Sequence, residues 1–216
     1  ALGVEGQIRL LNSQAAVVGA GGLGGYVVEI LARLGVGTLV VIDGESFAED
    51  NLNRQLFCRE RDLGRMKAAG AAERAGEVNS AVAAIARAEF LGRRNASRLL
   101  AKCDVAIDGL DRIDARLVLA RAASRLGIPL VHGALGGFLG EVSTLFPGAA
   151  GLDFLYGRGT GRKARGAEAV LGTPSPTPAV VGALQAVEVV KVLTGRGTPL
   201  QGRLLYLELG KGIFSE

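Results

Sequence analysis

The chain has 216 residues, 49% hydrophobic and 21% charged, with a formal net charge of +4. That length suits one domain, or one domain with an arm, and the apolar content supplies a buried core. Aromatics make up only 5% and the basic surplus is scattered, which argues against a nucleic-acid groove and suits an anionic small molecule or an acidic protein partner better.

Apolar spacing at the start predicts strand, glycine turn, helix and strand. "AAVVGA" (15–20) is a short buried strand, 21–37 a helix stopped around Gly35 and Gly37, and "TLVVID" (38–43) the second strand. This βαβ unit calls for a mostly parallel sheet. A helix is expected over 64–79, a strand within 81–90, a strand over 103–110, a helix over 113–127 and a strand over 128–135. The alternating "GFLGEVSTLFPG" (137–148) reads as antiparallel. Over 148–178 the period vanishes and glycine, charge and three prolines dominate, as in a long loop crossing one face. An almost wholly apolar helix (179–195), suited to deep burial or a subunit interface, and a terminal strand (202–209) close the chain.

No apolar run reaches the roughly 18 residues of a membrane span, and no basic-then-apolar leader opens the sequence. Cys58 and Cys103 make no disulfide framework. The expectation is a cytoplasmic protein with no membrane and no nucleic acid among its partners.

The chemistry concentrates in three places. "GAGGLG" places Gly19, Gly21, Gly22 and Gly24 in a strand-to-helix turn, where glycine permits the tight bend and lets backbone approach a phosphate. The motif alone does not separate ATP from a dinucleotide. Asp43 ends the second strand, where a carboxylate accepts ribose hydroxyls; Glu45 either shares that role or faces water. "NLNRQ" then brings Asn51, Arg54 and Gln55 close behind Asp43, and a guanidinium there suits phosphate oxygens. Lys67, near a helix start, is either a surface lysine or a second positive group for a triphosphate. In "DGLDRIDAR" (108–116), Asp108, Asp111 and Asp114 lie at the carboxyl edge of a strand, where one could hold Mg²⁺ with phosphate oxygens. Asp111 is best placed, since Asp108 could hold the turn and Asp114 lies on the helix.

Taken in order, "GAGGLGG", "VVID", "NLNRQ", "LGRMKA", "DGLDRIDAR", "IPLVHGALGGFLGEVSTLFPG" and "GALQAVEVVK" resemble the activating enzymes of ubiquitin-like proteins. More narrowly, they resemble the bacterial E1-like enzymes that adenylate the sulfur carriers of thiamine and molybdopterin synthesis. The resemblance spans roughly residues 3–210. It implies a single E1-like adenylation domain over 1–216: a nucleotide-binding part (1–147), a crossover loop (148–178), and a C-terminal helix and strand (179–216). The implied fold is α/β, a Rossmann-like doubly wound sheet, parallel first and antiparallel after.

The implied reaction is attack of a carrier's C-terminal Gly-Gly carboxylate on the α-phosphate of Mg²⁺-ATP, releasing pyrophosphate. Gly19, Gly21, Gly22 and Gly24 would line the nucleotide, Asp43 bind ribose, Asn51 and Gln55 shape the site, Arg54 and Lys67 neutralise phosphate charge, and Asp111 bind the metal. The partners would be a small ubiquitin-like sulfur-carrier protein and a second copy of the chain, as a homodimer.

Three features depart from the family pattern. The paired Cys-x-x-Cys motifs of its zinc site are absent, so no zinc is expected. No cysteine lies within 148–178 to accept an acyl group. The family's N-terminal arginine, which reaches the partner's ATP, has no match in "ALGVEGQIRLL", and Arg9 does not fill that position. Two other readings therefore stand beside adenylation. One is an impaired E1-like scaffold subunit. The other is an NAD(P)-dependent oxidoreductase, which leaves Arg54, Lys67 and Asp111 idle.

Overall fold

A computed structural model describes residues 2–149, 151–157 and 166–216. Most of the arginine-rich run within 157–166 therefore lies outside the described residues.

The amino-terminal half alternates strands and helices. Strands β1 (Gln14–Val18), β2 (Thr38–Ile42), β3 (Ala83–Arg87), β4 (Val105–Asp108) and β5 (Leu130–Gly136) run parallel. Helices α2 (Gly22–Leu34), α3 (Lys67–Val78) and α5 (Ile113–Leu126) lie between them, with a short α4 (Ala96–Leu99) before β4. β6 (Leu139–Leu145), β7 (Leu205–Glu208) and β8 (Ile213–Ser215) then continue the sheet antiparallel. The resulting order is β3-β2-β1-β4-β5-β6-β7-β8, the doubly wound arrangement with an antiparallel extension. The strand order reverses between β1 and β4, and such switch points open a crevice at the carboxyl ends of the strands.

Each strand is placed by what it buries. Ala15 to Val18, Leu39 to Ile42 and Val105 to Asp108 are buried on both faces, as central parallel strands require. One core cluster packs Val27, Val28 and Leu31 of α2 with Val17, Val41 and Val189; a second packs Leu117, Leu119 and Ala122 of α5 on the opposite face. Each such buried valine or leucine contributes about 1.5–3 kcal/mol.

Helix α8 spans Pro176–Thr194, three residues earlier than the apolar run predicts. Pro176 and Pro178 occupy its first turn, where no N–H is required. By length and composition α8 could cross a membrane, but it packs against α2, β5 and β6. It also buries Gln185 and Glu188. The choice between core and subunit interface thus falls to core for most of this helix, with Val187 half-exposed.

Helix α1 (Gly3–Leu11) is not marked by the sequence, and its N-cap Leu2 offers no capping side chain. Tertiary bonds hold it: Gln7 donates to the Leu34 carbonyl at 2.9 Å and Arg9 to the Thr194 carbonyl at 2.9 Å. Arg9 thereby terminates α8. Within 148–178 two four-residue helices also form, α6 (Asp153–Tyr156) and α7 (Glu168–Leu171).

Candidate active site

The glycine turn and the segment after β4 press together at the switch point. Gly19 has φ +94°, and a Cβ there would lie 2.4 Å from the Gly109 carbonyl oxygen. A Cβ on Gly24 would lie 1.7 Å from the Gly19 carbonyl oxygen. Fold geometry alone therefore requires glycine at both positions. Gly21 and Gly22 differ: added Cβ atoms would meet their nearest neighbours, Gln55 and Pro178, at ordinary distances of 3.5 and 3.4 Å. In space alone there is room for a side chain at Gly21, so its backbone is open to approach from outside. Gly21 caps α2 without a side-chain bond, and the first turn of that helix carries no acid. Such an amino terminus presents free N–H groups and a partial positive charge to an anion.

Asp43 stands beside this turn. Its Oδ2 accepts the Ala20 N–H at 2.7 Å and its Oδ1 the Glu45 N–H at 2.8 Å. Each oxygen keeps a second lone pair for a hydroxyl donor. Burial pushes the Asp43 carboxyl up, against those two bonds and the nearby Lys67 charge.

Lys67 is no surface lysine: it is 4% exposed and opens α3. Its Nζ pairs with Glu45 Oε2 at 2.7 Å, while the Glu45 side chain stays 56% exposed. A buried ammonium with a half-solvated partner can exchange that partner for another anion. Glu45 thus faces both water and Lys67.

The "NLNRQ" segment lies against the glycine turn. Asn51 is buried and spends its amide on its own bend, Oδ1 accepting from the Ala48 N–H and Nδ2 donating to Asp50. Gln55 is buried with Nε2 beside Gly21, and among the described residues its Oε1 has no donor. Arg54 packs its stem near Gly22 and donates to the Asp50 carbonyl and to Asn53 Oδ1.

The three aspartates after β4 separate clearly. Asp108 is fully buried; its Oδ1 accepts the Leu110 N–H at 3.0 Å and its Oδ2 meets His132 Nδ1 at 2.8 Å. Asp114 pairs with Arg112 at 2.8 Å. Asp111 is exposed, while the adjacent Arg112 is engaged by Asp114. Among the described residues no group of three His, Cys, Asp or Glu side chains gathers to hold an ion. A single carboxylate fits Mg²⁺, which draws its remaining ligands from phosphate and water.

Sequence reasoning missed a buried polar group behind this edge. His132, the one histidine, lies in β5 with no exposure and joins Asp108 of β4 to Tyr156 of α6 and Glu141 of β6. Arg116, also buried, donates to the Gly133 carbonyl at 2.9 Å. The available signal was a histidine inside the otherwise apolar "IPLVHGAL", where the strand-ending Asp108 supplies a charge to answer it.

The cysteines are buried, on the loop after Gln55 and ahead of β4. Burial pushes both thiols up, which suits packing rather than nucleophilic attack.

The sequence matches the model of the ThiF family over residues 1–216. It is 36% identical over 207 residues to the SAMP-activating enzyme E1 of Haloferax volcanii, covering 96% of this chain and 77% of that protein. Identity to the sulfur carrier protein adenylyltransferase of Thermus thermophilus is 37% over 210 residues, covering 94% and 78%. Among solved structures, E. coli MccB with ATP superposes with a TM-score of 0.83 at 20% identity, over 98% of this chain and 65% of that one. At that identity the likeness speaks for the fold.

Proposed function

Because the chain belongs to the ThiF family, we propose that it is an ATP-dependent adenylyltransferase acting on the C-terminal glycine of a small ubiquitin-like sulfur-carrier protein, and that it works as a homodimer. The observation that carries this reading is Lys67, a buried ammonium opening α3 with only a half-solvated partner, in the βα connection that also holds Asp43 and Arg54. A hydride-transfer enzyme has no use for it. The two relatives, an E1 and a carrier adenylyltransferase, point the same way.

In the proposed reaction the carrier carboxylate oxygen attacks the α-phosphorus of ATP. The bond from that phosphorus to the β-bridging oxygen breaks, and pyrophosphate departs with the electron pair. The Gly21 and Gly22 backbone and the start of α2 receive phosphate oxygens, and Asp43 fixes the ribose. Lys67 exchanges Glu45 for phosphate and, with Arg54, meets negative charge as it builds on the departing group. Gln55 supports the turn from behind. Asp111 would hold Mg²⁺, which supplies charge neutralisation on the phosphates. Holding attacker and phosphorus in line supplies the rest of the acceleration, so no side-chain nucleophile is needed.

The test is Mg²⁺-dependent exchange of labelled pyrophosphate into ATP, with a panel of small carriers ending in Gly-Gly and the same carriers lacking the last glycine. Exchange confined to an intact carrier, and lost in Lys67→Ala, is the expected result. ATP binding without exchange on any carrier would instead favour a scaffold subunit.

A further inference from the structure

The hydrogen-bonded group behind the switch point includes one side chain from the crossover segment. Tyr156 of α6 donates from Oη to Glu141 Oε1 at 2.9 Å and stands 3.2 Å from His132 Nε2. Its ring meets the imidazole edge-on, with centroids 5.8 Å apart. His132 Nε2 is 3.5 Å from Glu141 Oε1, while Nδ1 meets Asp108. The charged groups facing the imidazole are Asp108 of β4, Glu141 of β6 and Arg116 of α5, whose guanidinium is 3.7 Å from Asp108; Glu168 of α7 adds a more distant negative field on Arg116.

Counting protons decides the state of the ring. Tyr156 has one hydroxyl proton. With a neutral imidazole protonated on Nδ1, the bare Nε2 faces the Glu141 carboxylate, and the tyrosine proton can serve only one of the two; with the proton on Nε2 instead, the bare Nδ1 faces the Asp108 carboxylate at 2.8 Å. With an imidazolium, Nε2–H donates toward Glu141 and the tyrosine oxygen, the tyrosine donates to Glu141, and every partner is satisfied. Charge agrees: two carboxylates and one guanidinium leave a deficit of one positive charge, which a buried site cannot cheaply leave unbalanced.

We propose that Tyr156 is a positioning residue, and that with Glu141 and an imidazolium at His132 it forms a clasp holding α6 against β5 and β6. The clasp closes while the ring carries both protons and opens when it loses one. Its relevance to catalysis rests on the adenylyltransferase reading, extended here by setting the carrier tail against α6.

The titration runs in the required direction. Burial opposes the imidazolium, but the bonds to Asp108 and Glu141 outweigh it and raise His132 above its ordinary 6.5. A raised histidine contributes its stabilisation fully below that ordinary value and loses it as pH rises through the folded-state value. Opening is therefore an alkaline event.

A single histidine makes the state directly observable. In protein without added histidines, nitrogen NMR of labelled imidazole reports both ring protons, and hydrogen exchange at the Leu155 and Tyr156 amides, bonded to the Leu152 carbonyl, reports α6. The expected result is a doubly protonated ring at neutral pH, with exchange in α6 accelerating as that ring titrates. Tyr156→Phe should speed this exchange about three- to tenfold, as loss of one hydrogen bond implies, and remove its pH dependence. Glu141→Gln should shift the titration to lower pH. In pyrophosphate exchange, Tyr156→Phe should raise KM for the carrier and leave ATP affinity unchanged. If no carrier supported exchange, the adenylation reading would fail while the spectroscopic and exchange results still judged the clasp. A neutral ring at neutral pH, or α6 exchange indifferent to both titration and Tyr156→Phe, would overturn it.

Discussion

Four glycines in one turn meet two different surroundings, and substitution separates them. Gly24→Ala places a methyl 1.7 Å from the Gly19 carbonyl oxygen. Backbone must move, at a cost of about 3 kcal/mol or more, and a urea denaturation midpoint will report it with or without nucleotide. Gly21→Ala meets only ordinary contact with Gln55 and should leave the midpoint within about 0.5–1 kcal/mol of the parent. Its effect belongs to the ligand: ATP affinity by calorimetry should fall at least about tenfold, because the methyl occupies the phosphate's approach. Equal ATP affinity in Gly21→Ala would remove phosphate from that turn. Lys67→Met tests the same site through charge. Its partner Glu45 is half solvated, so stability should change by no more than about 1 kcal/mol, while pyrophosphate exchange disappears. These residues were legible in the sequence because their spacing reports backbone geometry or strand ends. Burial was not legible: a lysine at a helix start looks like a surface residue until Nζ is found paired and covered. His132 was missed for a related reason, since the carboxylates that answer it come from strands distant in sequence.

At the scale of elements, α8 shows why composition alone left its role open. Its apolar surface faces α2 on one side and the sheet on the other, and two polar side chains fasten it. Gln185 Nε2 donates to the Asp108 carbonyl at 2.8 Å. Glu188 is 2% exposed and accepts from the Thr144 hydroxyl at 2.6 Å, the Leu200 N–H at 2.7 Å and Lys191. Glu188 thus joins the helix to the end of β6 and to the segment that leads into β7. Glu188→Ala would leave buried donors unanswered and should cost about 3–5 kcal/mol, read as a lower denaturation midpoint at unchanged m value. Glu188→Gln, which keeps one acceptor oxygen, should cost less. The long periodic elements and the switch from parallel to antiparallel pairing were readable from pattern. Helix α1 and the four-residue helices were not. "GVEGQIRLL" carries two glycines and no capping side chain, and its helix depends on bonds to Leu34 and Thr194 that no local window contains. β8, three exposed residues long, exists because β7 offers it an edge.

Across the whole molecule, the proposed nucleotide site draws on the connections after β1, β2 and β4 and on the start of α3. A ligand gripping all of these at once must release them together when the chain unfolds, so binding should stabilise the cooperative unit rather than one loop. At a ligand concentration about 100 times Kd the gain is about 2.7 kcal/mol. For a domain of this size that raises Tm by about 5–10 °C. Calorimetric scans with Mg²⁺-ATP should show this rise, and scans with NADH should not. Asp111→Asn separates metal from nucleotide: its carboxylate is exposed and has no ion pair among the described residues, so the Tm of the free protein should stay where it was. The variant should keep the rise produced by ATP in chelator and lose the extra rise that Mg²⁺ brings. An extra rise that survives in Asp111→Asn would move the metal to another ligand. A rise produced by NADH instead of ATP would reverse the choice between the two readings of the glycine turn, because Asp43 serves a ribose in either case and only the phosphate-facing cations tell them apart.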